Sequence, residues 1–70
     1  MIDPSDIAKL AELYDRYANA FERLSPDRLH ARRLFWTRLE TLYQQEGAGS
    51  DFEAFRFEMV QRCKAYLKKN

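Results

Sequence analysis

The sequence predicts an all-α fold: a small three-helix up-down-up bundle, with helices over about 4–24, 26–46 and 51–68, forming one domain over residues 1–70. Three observations carry that expectation. Apolar residues recur at spacings of three and four in each third of the chain, which is the period of a helix face and not the alternation of a strand. The two prolines, Pro4 and Pro26, stand where helices would begin, and the two glycines, Gly47 and Gly49, fall in one short link. Hydrophobic residues make up 46% and charged residues 33%, the balance of a folded globular chain and not of a disordered one.

The first helix starts at Asp3-Pro4-Ser5-Asp6. Asp3 suits the cap, Pro4 the first helical position, and Asp6 the positive end of the helix dipole. Ile7, Leu10, Tyr14, Tyr17, Phe21 and Leu24 then follow in a heptad-like stripe. Ala11 and Ala18 flank it and leave room for a neighbour, while Glu12 and Arg16 are spaced to pair on the outer face.

Ser25-Pro26 breaks and restarts the chain, since a residue before proline avoids the helical region and serine caps well. In the second helix Leu29, Ala31, Phe35, Trp36, Leu39, Leu42 and Tyr43 fall on one side, with Arg28 and Arg32 among them. Leu34 points away, beside His30, Thr37 and Thr41. Gly47-Ala48-Gly49 ends this helix. Ser50 and Glu53 then match a capping box for the third, whose face carries Phe52, Phe55, Met59, Val60, Cys63, Tyr66 and Leu67. Arg56 sits within that face and Phe57 projects from it. Glu58 and Arg62 are spaced to pair.

Composition narrows the function. With 12 basic and 11 acidic residues the net charge is +1, too balanced for bulk coating of nucleic acid or a general pull to acidic membranes. A single cysteine excludes an internal disulfide framework and any multi-cysteine zinc site. No apolar run approaches the roughly 18 residues of a membrane span, and the N-terminus lacks the basic and apolar regions of a signal peptide. The expectation is a cytoplasmic protein with no membrane role.

An up-down-up arrangement has an electrical consequence. One end gathers Arg23, Arg28, Arg32, Arg33, Arg62, Lys64, Lys68 and Lys69, with His30 nearby, against Glu22 and Asp27. The other gathers Asp3, Asp6, Glu40, Glu46, Asp51 and Glu53, against Lys9 and Arg38. Helix dipoles alone account for such an arrangement, at about 0.3–1 kcal/mol per charge. A basic end also offers a surface to an anionic partner.

Particular side chains stand out against this background. Arg32 and Arg56 lie within apolar stripes, where an unpaired charge costs several kcal/mol; each must reach solvent, find a carboxylate (Glu22 for Arg32) or be covered by a partner. Leu34 and Phe57 lie off the stripes and would mark an interface if they joined in one patch. His30 lacks a second ligand at helical spacing, and Cys63 lies on the core stripe as a small hydrophobe without a base beside it. There is no phosphate loop, nucleophile elbow or zinc spacing, and a bundle this small has little room for a substrate pocket.

The function expected is therefore a non-enzymatic helical protein–protein interaction module, associating with itself as a homodimer or docking on a larger partner. Small chains without a disulfide or metal often gain stability from a second subunit. Its partner-binding residues would be Arg28, Arg32, Arg33, Leu34, Arg56, Phe57, Lys64 and Lys68, joined by Tyr14, Tyr17 and Tyr66 if the bundle leaves part of a stripe uncovered. No cofactor, metal or small-molecule substrate is expected. The alternative is a nucleic-acid-binding accessory protein that grips phosphates non-specifically with Arg28, Arg32, Arg33, Lys64 and Lys68.

Overall fold

The computed structural model of the chain describes residues 2–18, 25–46, 49 and 51–69. It contains three helices, α1 (Pro4–Ala18), α2 (Pro26–Glu46) and α3 (Phe52–Lys69). The continuation of the first stripe through Phe21 and Leu24 lies outside the described residues, as do Glu22, Arg23 and Ser50.

Each helix begins on a side-chain cap. Asp3 Oδ1 accepts the N–H of Ser5 at 2.9 Å, and the Asp3 carbonyl accepts those of Asp6 and Ile7. The bond from the Ser5 N–H stabilises the Asp3 carboxylate and holds its pKa below the usual value. Ser25 Oγ accepts the N–H of Arg28 at 3.2 Å, with Pro26 in the first helical position. The third cap differs from expectation. Asp51 Oδ1 accepts the N–H of Ala54 at 2.7 Å, so α3 starts at Phe52 with Asp51 as its cap. Glu53 turns instead to Arg56, three residues on, where the ion pair closes at 2.8 Å. A carboxylate is a strong acceptor for orphan N–H groups, so Asp51→Ala should cost about 1 kcal/mol, and Asp51→Asn only a fraction of that. Thermal melts followed by circular dichroism would show the alanine variant lower by roughly 4–8 °C. Equal melting of both variants would contradict the capping role.

The order of ring contacts fixes the topology. At one end the Arg28 guanidinium donates to the Tyr17 carbonyl at 2.6 Å, so the start of α2 lies beside the last turn of α1. At the other, Tyr43 meets the Phe52 ring at 5.2 Å and Phe55 at 5.4 Å, so α3 starts where α2 ends. The chain runs up, down and up within an envelope of 37 × 24 × 18 Å. At 1.5 Å per residue α2 is about 30 Å long, close to the full length of that envelope.

The core is built from Leu10 and Ala11 of α1, Ala31, Phe35, Leu39 and Leu42 of α2, and Phe55, Met59 and Cys63 of α3. Each helix contributes one small, fully buried residue (Ala11, Ala31, Cys63). α1 lies close against both neighbours, whereas α2 and α3 approach each other much less. The reason is side-chain size, which sets interaxial distance. Trp36, Tyr43, Phe52 and Phe55 fill the α2–α3 seam with tilted and edge-on rings, at centroid distances of 5.2–6.0 Å. Beyond α2, Gly49 adopts φ 97°, a left-handed conformation that glycine takes without penalty.

Several expected positions are revised. Leu29, read as facing inward, is 38% exposed, and Tyr66, read onto the core face, is 39% exposed. Both lie at the margins of their stripes, where a helix of 3.6 residues per turn rotates them out of the seam. Arg32 reaches solvent, one of the three outcomes expected for a charge within the stripe. Glu12 and Arg16, and Glu58 and Arg62, share faces but form no ion pair among the described residues. Exposed pairs of this kind gain only a few tenths of a kcal/mol, too little to hold two mobile side chains together.

Candidate interaction surfaces

Two depressions lie along α2 and adjoin at Thr37. The first is a groove of about 450 Å³ between α1 and α2. Leu13 and Leu34 line it with Thr37 and Thr41, and Lys9, Glu12 and Arg38 surround them. The Thr41 hydroxyl donates to the Thr37 carbonyl at 3.0 Å and is thereby occupied within the helix. Leu34 is 41% exposed here.

The second depression, of about 560 Å³, is lined among the described residues by Leu29, Arg32, Arg33, Trp36 and Thr37 of α2. These positions are i, i+3, i+4, i+7 and i+8, one continuous stripe of helix surface. Trp36 forms its inner wall. The Arg56 guanidinium of α3 lies over that ring, 5.5 Å from its centroid, and Phe52 meets it at 6.0 Å. Arg56 is thus held between the indole and Glu53, with its side chain 40% exposed; its Nε–H is buried without an acceptor. Stacking and the ion pair resolve the charge that the sequence placed inside the stripe.

The eight residues expected at a partner surface divide by location. Arg32 and Arg33 line the α2 cleft, with Arg56 beside it. Leu34 lies in the α1–α2 groove, two residues and so about 200° around the helix from Trp36. Because α3 lies on the Trp36 side, Leu34 and Phe57 do not join in one patch. Phe57, 67% exposed, stands on the outer surface of α3 together with Lys64 and Lys68, seven and eleven positions along the same helix face. Arg28 is half-buried, and its guanidinium is committed to the Tyr17 carbonyl. Tyr14 and Tyr17 are half-buried and pack against the core, their rings 6.0 and 5.4 Å from Phe35. Sequence reasoning passed over the α1–α2 groove. Its signal was present: Leu13 and Leu34 both lie off the main stripes and become opposite each other once α1 and α2 run antiparallel.

Among the described residues no three His, Cys, Asp or Glu side chains gather as metal ligands, and no helix is long and apolar enough to cross a membrane. Compared with known proteins, the chain matches no family model, no curated protein and no solved structure.

Proposed function

We propose that this chain is a small non-enzymatic helical module that works by binding another protein chain, either a second copy of itself or a larger partner. The observation that supports the reading is Phe57. A phenyl ring 67% exposed on a folded surface does little for stability, yet it is a favourable anchor for an interface. Leu29, Leu34 and Tyr66 add further exposed apolar surface to a molecule of only 70 residues.

The nucleic-acid alternative draws less support. Arg28, one of its five phosphate contacts, is turned inward, and Arg56 already lies over the Trp36 ring on which a base would stack.

The test is solution mass by light scattering over a hundredfold concentration range, for the native chain and for Phe57→Asp. Self-pairing through α3 predicts a mass that rises with concentration, and a variant that stays at one chain. Phe57→Asp should also leave the melting temperature of the isolated chain nearly unchanged, within about 0.5 kcal/mol of stability. A native mass that never rises overturns self-pairing. A core-like loss of stability in the variant would show that Phe57 serves the fold, which removes the basis of the proposal.

A further inference from the structure

The second depression carries a more specific inference, which rests on the interaction-module reading. We infer that the Leu29–Arg32–Arg33–Trp36 stripe of α2 docks an acidic amphipathic segment of another protein. Its carboxylates would meet the two arginines, and an apolar side chain would rest on Leu29 and the edge of Trp36.

Charge is the first argument. Among the described residues, both ionisable side chains lining the cleft are arginines. Neither has a carboxylate three or four positions away on α2: around Arg32 stand Arg28, Leu29, Phe35 and Trp36, and around Arg33 stand Leu29, His30, Trp36 and Thr37. Neither forms an ion pair with any described residue. Arg56 adds a third guanidinium at the Trp36 wall. Among the described residues, the carboxylates of α2 closest in sequence to this stripe are Asp27, two positions before Leu29, and Glu40, one turn beyond Trp36, while Glu53 of α3 is already bonded to Arg56. Guanidinium groups pair with carboxylates in bidentate geometry, so an acidic segment satisfies both arginines at once.

Shape and chemistry then choose among anionic occupants. Leu29, 38% exposed, offers an apolar contact that a phosphate backbone has no use for. Arg56 lies over the indole, so a base would have to compete with the guanidinium for that face. A second copy paired symmetrically on this face would set Arg32 and Arg33 against their own counterparts, which is repulsive. An acidic helix with apolar residues at i, i+3, i+4 and i+7 has neither problem.

Trp36 is the only tryptophan in the chain and forms the wall of the cleft, so its emission reports occupancy directly. The probes are a short synthetic helix with leucines at i, i+3, i+4 and i+7 and glutamates elsewhere, the same peptide with lysines for glutamates, and an oligothymidine strand. The glutamate peptide should change Trp36 emission saturably, and Arg32→Glu with Arg33→Glu should weaken it at least about tenfold. Arg32→Ser with Arg33→Ser supplies a milder variant, and circular dichroism checks that both remain folded. The inference is overturned if the glutamate peptide gives no saturable response, if the lysine peptide binds as well, or if oligothymidine binds more tightly. It is equally overturned if Trp36 emission depends on the protein's own concentration, which would make the cleft a self-interface. Because Phe57→Asp tests association at a different surface, a silent cleft in a chain that still associates rejects this inference alone.

Discussion

Phe35→Ala is expected to destabilise the chain by about 3–5 kcal/mol, the range for removing a buried aromatic ring and leaving a cavity. Phe35 is 1% exposed and its ring meets both tyrosines of α1. Its loss therefore removes dispersion contacts on α2 and two ring–ring contacts that join α2 to α1. A domain of this size has a total stability of roughly 3.5–10 kcal/mol at 0.05–0.15 kcal/mol per residue. One substitution thus consumes a large share of what holds the bundle together. At about 4–8 °C per kcal/mol, the melting temperature should fall by on the order of twenty degrees. The fitting comparison is Phe57→Ala, the same truncation on the exposed face of α3, expected to change stability by no more than about 0.5 kcal/mol. Similar losses for the two variants, measured by thermal or urea denaturation, would contradict the assignment of Phe35 to the core and Phe57 to the surface.

That contrast between two phenylalanines also marks where sequence reading succeeds. Phe35 is legible because it shares a stripe with Ala31, Leu39 and Leu42, and the burial of such a stripe is close to obligatory in a helix that packs at all. Pro4 and Pro26 announced two helix starts for equally local reasons. What depends on a neighbour was harder to read. Leu29 and Tyr66 lie at stripe margins, and whether a margin is covered depends on how closely two helices approach. Here the rings of Trp36, Tyr43, Phe52 and Phe55 fill the space between α2 and α3, while Ala11 and Cys63 leave α1 and α3 room to close together. The choice between Ser50 and Asp51 as a cap was similarly finer than periodicity resolves, because adjacent positions differ by one residue in register and both side chains suit the role. The candidate surfaces follow the same division. Arg32 and Arg33 could be named from sequence, but the placement of Arg56 over Trp36 beside their cleft is a contact between helices that no single stripe encodes.

Stability should decline between about pH 9 and pH 11 because of one buried thiol. Cys63 is fully buried among apolar side chains, and desolvation pushes its pKa up to about 11 from its ordinary value of 9.0. In the unfolded chain the thiol ionises freely near its ordinary value; in the folded chain it stays protonated. Between those two values the unfolded state binds fewer protons than the native state, so stability falls as pH rises. Below the unfolded value the contribution is fully present, and above the folded value it is gone. At about 1.36 kcal/mol per pH unit, the total loss is roughly 2–3 kcal/mol. The Tyr17 hydroxyl, whose pKa is raised chiefly by burial and then by Tyr14, acts in the same direction at higher pH. Cys63→Ala separates the thiol from everything else. The variant loses some packing at every pH, but its stability should fall less steeply over this window. Urea unfolding at closely spaced pH values provides the comparison. Parallel curves for the native chain and Cys63→Ala would mean that the thiol ionises as readily in the folded protein as in water, and that α1 and α3 do not close over it.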